Sequence, residues 1–353
     1  MDFTYQSFSN KVYFGENYLA KLPEIVQEMG GRNLFVILRD TPETKSIVQS
    51  LLKVFGETKV TLFYEIIQHV PKTIVDKALQ VARAKQSDSI IAIGGGSAIG
   101  LAKGMALETG LPILAIPTTY AGSEMTNVYG ISAEGVKTVG KDLKVLPKTV
   151  IYAPSLTIKM PLGLAATSSM NAMAHLVEAI YAFDGNPIVY QIALLGIQSL
   201  RQGMEVLIQE KSLENANEHL QYGAYLAGKC LCEVSMALHH KLAHTLGGSF
   251  GMEHGQVHTV LLPYVLDFQL PFLPVSVKKD LQKTLNSKNP ALKLKTLAKK
   301  MGAHTTLKAI GFKEADIPKA AEMVLALNKF ANPAELNVQN VHDLLLRCYI
   351  GRL

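Results

Sequence analysis

Over the first 120 residues, short apolar runs alternate with longer stretches of helical period. The runs fall at 11–15, 33–38, 59–64, 89–93 and 111–117. Between them, residues 18–29, 43–55, 73–86 and 101–109 repeat apolar positions every three or four residues, and Gly30-Gly31 closes the first of these. Strands this continuously apolar are covered on both faces, so the alternation predicts a parallel sheet sandwiched by helices. Beyond Pro161 only long helical periods remain: 164–183, 187–209, 215–234, a histidine-rich helix, and 255–268, where Pro263 is expected to bend or end the helix. The predicted architecture is an α/β, Rossmann-like domain over residues 1–160 followed by an all-α domain over residues 161–353.

The run at 89–93 leads directly into Gly94-Gly95-Gly96-Ser97-Ala98-Ile99-Gly100. A glycine-rich turn between a strand and a helix N-terminus is a phosphate site by mechanism. The backbone N–H groups can approach an anion, and the helix dipole favours negative charge there. The turn is neither a dinucleotide fingerprint, because Ile99 stands where the last small residue belongs, nor a Walker A loop, because Gly-Lys-Ser/Thr is missing. The run at 111–117 ends in Thr118-Thr119-Tyr120-Ala121-Gly122-Ser123-Glu124-Met125-Thr126. Hydroxyls at that edge suit ribose and phosphate oxygens, because open α/β sheets bind ligands at the C-terminal ends of their strands. Asp40, after an earlier strand, can accept from a ribose hydroxyl, while Arg39 beside it can meet a 2′-phosphate. A cofactor with or without a 2′-phosphate therefore stays open.

Composition narrows the class. At 353 residues the chain is too long for one ordinary core, and 48% hydrophobic with 18% charged residues describes a compact globular protein. No apolar run has the length and purity of a membrane span, and Met1 to Tyr5 lacks the layout of a signal peptide. Cys230, Cys232 and Cys348 do not suggest a disulfide framework, which points to a reduced, cytoplasmic setting. The net charge of +6 is spread out, apart from clusters such as Lys278-Lys279 and Lys299-Lys300. No aromatic residues interleave with a basic stripe, so neither a nucleic-acid nor a membrane partner is expected. A mildly positive balance suits an anionic substrate.

The candidate chemistry lies at residues 236–255, which hold four of the ten histidines. His240 and His244 share one helix face at i, i+4. Leu246-Gly247-Gly248 is expected to break that helix, and His254 to return from the turn. Asn171 and His175 repeat the same spacing on an earlier helix, and the two faces are expected to meet across one cleft. His239 points about 100° off the His240/His244 face.

Several ordered segments resemble the iron-containing alcohol dehydrogenase superfamily, and within it the maleylacetate reductase branch. They are Gly94-Gly95-Gly96-Ser97 with Gly100-Leu101-Ala102-Lys103; residues 117–126; Gly135-Val136-Lys137-Thr138; Val145-Leu146-Pro147; Asn171-Ala172-Met173-Ala174-His175 with Glu178; and residues 237–248. The resemblance implies a dehydroquinate synthase-like α/β domain that binds NADH or NADPH, an all-helical catalytic domain, an active site in the cleft between them, and a homodimer. It places cofactor contacts at Asp40, Gly94, Gly95, Gly96, Ser97, Thr118, Thr119, Ser123, Thr126 and Lys137.

By position, the family's metal ligands correspond to Asn171, His175, His240 and His254, with His244 near nicotinamide and substrate. Two residues depart from the metal-dependent pattern. Asn171 offers a neutral amide where those members have a carboxylate, and Gly100 stands where many have Asp. A dication held by three imidazoles and an amide lacks its compensating charge, so no metal is expected. The implied reaction reduces the conjugated C=C of maleylacetate, a small dicarboxylate, to 3-oxoadipate in the breakdown of aromatic compounds. His244 is the expected proton donor. His175, His240 and His254, with Asn171 and Tyr120, are expected to bind substrate, the imidazoles acting as donors and in part as cations. A metal-dependent alcohol dehydrogenase and a non-catalytic nucleotide-binding module are the alternatives.

Overall fold

The computed structural model describes residues 2–8, 10–133, 136–327 and 330–353; the side chains of Val136 and Lys137 lie outside the described residues. The chain divides into two compact units. One is Ser7–Lys159, and the other is Met160–Leu353 together with the N-terminal residues up to Gln6. The first six residues thus group with the helices, whereas the sequence pattern assigns them to the α/β domain. The Tyr5 hydroxyl accounts for this by donating to the Glu233 carboxylate at 3.2 and 3.3 Å.

The α/β unit is built on six parallel strands: β1 (Lys11–Phe14), β2 (Leu34–Ile37), β3 (Val60–Phe63), β4 (Ser89–Gly94), β5 (Ile113–Pro117) and β8 (Thr149–Tyr152). Their order is β1-β8-β5-β4-β2-β3, and every neighbouring pair is parallel. Between β5 and β8 lies an antiparallel hairpin, β6 (Val128–Ala133) and β7 (Val136–Lys141). The helices of this unit are α1 (Asn17–Ala20), α2 (Leu22–Glu28), α3 (Pro42–Phe55), α4 (Lys72–Ala84) and α5 (Gly96–Thr109). Strand β2 is buried along its whole length, which is why its sequence shows no polar alternation. Leu34, Val36, Ile91, Ile93, Leu114, Ile116 and Ile151 share one core cluster beneath the helices. Each fully buried side chain of this kind contributes about 1.5–3 kcal/mol of transfer free energy.

The chain leaves β2 toward β3 on one side and leaves β4 toward β5 on the other. The crevice at the C-terminal ends of β2 and β4 is therefore a topological switch point, the place where such sheets bind ligands. It is flanked by Asp40 after β2 and the glycine turn after β4.

In the second unit every described element is helical: α6 (Leu162–Ile180), α7 (Pro187–Glu210), α8 (Asn217–Glu233), α9 (Leu238–Phe250), α10 (His254–Gln269), α11 (Val275–Thr284), α12 (Pro290–Lys300), α13 (Ile317–Ala326) and α14 (Val338–Ile350), with short 3-10 turns between them. Helix α6 is buried on all sides from Ser168 to Ile180 and packs against α7, α8 and α10, so it is the axis of the unit. Its fit against α7 depends on Gly196, where a Cβ would lie 2.6 Å from Cδ2 of Leu176.

One helix boundary differs from the sequence expectation, and one proline is accommodated inside a helix. Gly247 and Gly248 do not break α9, which runs to Phe250 and ends at Gly251 in the left-handed conformation, φ 67. Two glycines cost roughly 1 kcal/mol each relative to alanine. Leu242 and Leu246, both fully buried against Val257, Leu261 and Leu344, hold the helix in place. Nor does Pro263 end α10, which continues to Gln269. The proline lacks the N–H that would bond the Thr259 carbonyl, but its neighbours Leu261, Leu262, Tyr264 and Val265 are all buried. Among the described residues no helix is long and apolar enough to cross a membrane.

Candidate active site

At the end of β4, Gly94 has φ 158, and a Cβ on it would lie 2.8 Å from Cβ of Ala98. A Cβ on Gly95 would meet Cγ2 of Thr119 at 2.9 Å. These two glycines bring the chain tightly into α5. Gly95 caps that helix without a side-chain bond, and its first turn carries no acidic residue. The N-terminal N–H groups of Gly96 and Ser97 thus form an anion-favouring end. Thr118 closes the turn from β5 by donating its N–H to Gly94 O at 3.1 Å. Thr118, Thr119 and Ser123 are half-buried, and Asp40 is exposed with Lys45 Nζ 3.7 Å away.

Two expected contacts turn inward instead. The Thr126 side chain is 2% exposed; its hydroxyl accepts from Lys103 Nζ at 2.8 Å and donates to Ser123 O at 3.2 Å. Tyr120 is fully buried and bonded to Thr157, and burial pushes its hydroxyl pKa well above the ordinary range. Both shape the 118–128 segment from within rather than face a ligand. Sequence reading also missed the buried charges that fix this segment. Lys103 donates to Thr126 O at 2.7 Å and to Val128 O at 2.8 Å as well, which engages all three of its ammonium hydrogens. Glu124 is fully buried, accepts from Tyr152 Oη at 2.7 Å and is pushed up to about 7 by its burial. The departure at Gly100 has a steric reason: a Cβ there would lie 2.7 Å from Cγ2 of Val70. Lys137, expected at the cofactor, has a side chain outside the described residues.

The helical unit brings six of the ten histidines together from three helices. Each helix contributes an i, i+4 pair: Asn171 and His175 on α6, His240 and His244 on α9, His254 and His258 on α10. His239 completes the set. His258 was missed in the sequence, although its spacing from His254 carries the same signal as the other pairs.

The cluster has two layers. His244 and His254 are exposed and stack with centroids 6.3 Å apart. Behind them His175 and His240, each 4% exposed, stack at 4.9 Å, and His239 and His258 are fully buried. His258 is the hub, with ring centroids 4.3 Å from His254, 4.8 Å from His239 and 4.9 Å from His240. Asn171 lies in the inner layer at 6% exposure, its Oδ1 buried and without a hydrogen-bond partner.

Burial sets the protonation of the inner layer. It lowers His175 to about 3, helped by the charges of His254 and His244, and lowers His239 to about 3. It drives His240 and His258 well below the ordinary range. Four of the six imidazoles are therefore neutral at pH 7, which corrects the expectation that the inner ones share cationic character.

The inner layer is anchored by Glu178, fully buried on α6. Its Oε1 accepts the His239 N–H at 2.8 Å, its Oε2 the Ala237 N–H at 3.1 Å, and Oε2 lies 2.5 Å from His240 Nδ1. Burial pushes the carboxyl up to about 8, against the pull of those backbone N–H groups. His240 Nε2, on the far edge of the ring, is buried without a hydrogen-bond partner among the described residues.

A parallel α/β unit with an anion-favouring turn at its switch point, and a helical unit with a layered imidazole cluster, together make up a nicotinamide-dependent oxidoreductase. Two family models match the chain: "Iron-containing alcohol dehydrogenase" over residues 9–154 and "Fe-containing alcohol dehydrogenase family, C-terminal" over residues 165–349. The chain belongs to the iron-containing alcohol dehydrogenase family. It is 42% identical over 351 residues to the maleylacetate reductase of Pseudomonas sp. strain P51, covering 99% of each protein. Among solved structures it resembles the maleylacetate reductase of Agrobacterium tumefaciens, with 34% identity, a TM-score of 0.92 and 99% of each chain covered. It also resembles the maleylacetate reductase of Rhizobium sp. strain MTP-10005, with 34% identity, a TM-score of 0.91 and the same coverage.

Proposed function

We propose that this protein is a maleylacetate reductase, using NADH or NADPH to reduce the conjugated C=C of maleylacetate and yield 3-oxoadipate. The observation that carries the reading is the layered imidazole cluster with Asn171, not a carboxylate, in its inner layer. The α/β unit serves the cofactor, its pyrophosphate on the N–H groups of Gly96 and Ser97. The helical unit serves the substrate.

The reaction asks for little more than these groups supply. Hydride from the dihydronicotinamide adds to the carbon β to the ketone, and the displaced π electrons become an enolate on the ketone oxygen. A proton from an outer imidazole, for which His244 is our assignment, goes to the adjacent carbon. The substrate's two carboxylates are matched by the exposed imidazoles of His244 and His254 at the surface of the cluster, and the buried Nε2 of His240 stands behind them.

A divalent metal, where the family holds one, polarises the substrate oxygen. Its donor set fits poorly here. Asn171 Oδ1 is buried and brings no negative charge to compensate a dication. We therefore read the enzyme as metal-independent. Three buried cysteines, none of them in a disulfide, suit a reduced cytoplasmic setting, and homodimeric assembly follows the family resemblance. The test is product analysis: maleylacetate with NADH should give stoichiometric 3-oxoadipate, and NADH binding without turnover would remove the assignment.

A further inference from the structure

We propose that Glu178 is a positioning residue for the reduction: from α6 it caps the N-terminus of α9 and holds His240 by Nδ1, and so fixes His244 one turn further along. This deepens the maleylacetate reductase reading and rests on it.

Asn171, His175 and Glu178 follow one another at i, i+4 and i+7, so they form a single stripe on α6. The first two contribute to the inner layer, and the third crosses to α9. That helix has no capping side chain of its own: Ala237 is its N-cap residue, and its first turn carries no acidic residue. Two of its leading N–H groups, on Ala237 and His239, are instead satisfied by the two oxygens of Glu178. A carboxylate on a helix N-terminus also meets the positive end of the dipole. The histidine helix is thus seated on the asparagine–histidine helix through one buried side chain.

The third bond goes beyond capping. With Nδ1 held at 2.5 Å from Oε2, the His240 ring cannot rotate about χ2 without losing that bond, and His175 stacked at 4.9 Å blocks a tilt. His240 in turn meets the exposed His244 edge-to-face at 6.1 Å, with planes 85° apart. Glu178 is too deeply buried to touch substrate, so any effect it has on turnover passes through His240 and the start of α9.

Capping alone and ring positioning give different results. Glu178→Gln keeps the size and offers one acceptor oxygen to His239 N–H. Its amide nitrogen faces Ala237 N–H and can only donate to His240 Nδ1, so the ring nitrogen is fixed as an acceptor there. We expect kcat with maleylacetate to fall about 10- to 100-fold and KM for NADH to stay within about twofold, since the cofactor contacts lie on the other unit. Placed on His240→Phe, the same substitution should cost less than about threefold, the non-additivity of a residue acting through its partner. Equal losses in both backgrounds, or an unchanged kcat in Glu178→Gln, overturn the proposal. Ring 15N–1H spectra of protein labelled in histidine give a reading that needs no substrate. The wild type should show a far-downfield proton in the short His240 Nδ1–Glu178 Oε2 contact that Glu178→Gln lacks, and its absence from the wild type overturns the proposal as well. If the wild type does not reduce maleylacetate, the functional reading fails while the spectra still decide the role of Glu178.

Discussion

Nε2 of His239 lies 2.8 Å from Nδ1 of His258, and both rings are fully buried. One nitrogen donates and the other accepts, so removing either partner strands a buried polar atom. His239→Leu or His258→Leu alone should cost about 1–3 kcal/mol. The double substitution should cost less than the sum, because it removes both polar groups together. Urea unfolding of the three variants measures this, and strictly additive losses would show that the two rings act separately.

The same burial predicts how stability changes with pH. His175 and His239 are held near 3 in the folded protein, whereas histidine in an unfolded chain titrates near about 6.5. Below pH 6.5 the unfolded chain takes up protons that the folded chain refuses, so stability falls as pH drops from about 6.5 toward 3. Chemical denaturation at pH 7.5, 6 and 5 should show the midpoint decreasing, and His239→Leu should flatten that decrease relative to its own value at pH 7.5.

Catalysis should separate the two layers. His244→Ala removes the assigned proton donor and should lower kcat by about 10²–10⁴-fold. Steady-state kinetics with saturating NADH measures it, and a kcat near that of the wild type would move the proton to His254.

At the cofactor turn the prediction is electrostatic. Ser97→Asp puts an anion at the start of α5, where the free N–H groups favour a phosphate. KM for NADH should rise about tenfold or more with kcat little changed. An unchanged KM would mean that the pyrophosphate is bound elsewhere.

Gly100 offers a structural check. A Cβ at this position would lie 2.7 Å from Val70 Cγ2, and Val70 is already held at φ 51, a conformation costly for a β-branched residue. Gly100→Asp should destabilise the protein by about 1–3 kcal/mol, and adding Val70→Gly should recover most of the loss. Thermal melts of the single and double variants decide it.

The parallel sheet is legible in the sequence because β2 and the stretch Ile90–Ile93 of β4 are covered on both faces and carry no polar positions to blur the pattern. The hairpin β6–β7 escapes notice because its strands are only partly buried and carry Gly130 and Gly140. The outer histidines are visible from spacing alone. The inner layer is not, because burial rather than residue type decides which imidazoles stay neutral. Glu178 looks like one more charge on a helix until α9 is seen to lack a cap of its own. Thr126 reads as a ligand hydroxyl in sequence, and only the buried Lys103 shows where that hydroxyl is spent.

Asn171→Asp would restore the missing carboxylate, and the variant should acquire divalent metal that the wild type lacks, measured by elemental analysis after purification without chelator. Metal in both proteins, or in neither, would contradict the role given to Asn171.

The most direct test of the central claim is maleylacetate-dependent oxidation of NADH by protein treated exhaustively with EDTA and analysed for metal. A metal-independent reductase keeps its full rate with substoichiometric metal. Loss of activity on chelation, restored by iron or zinc, would contradict it.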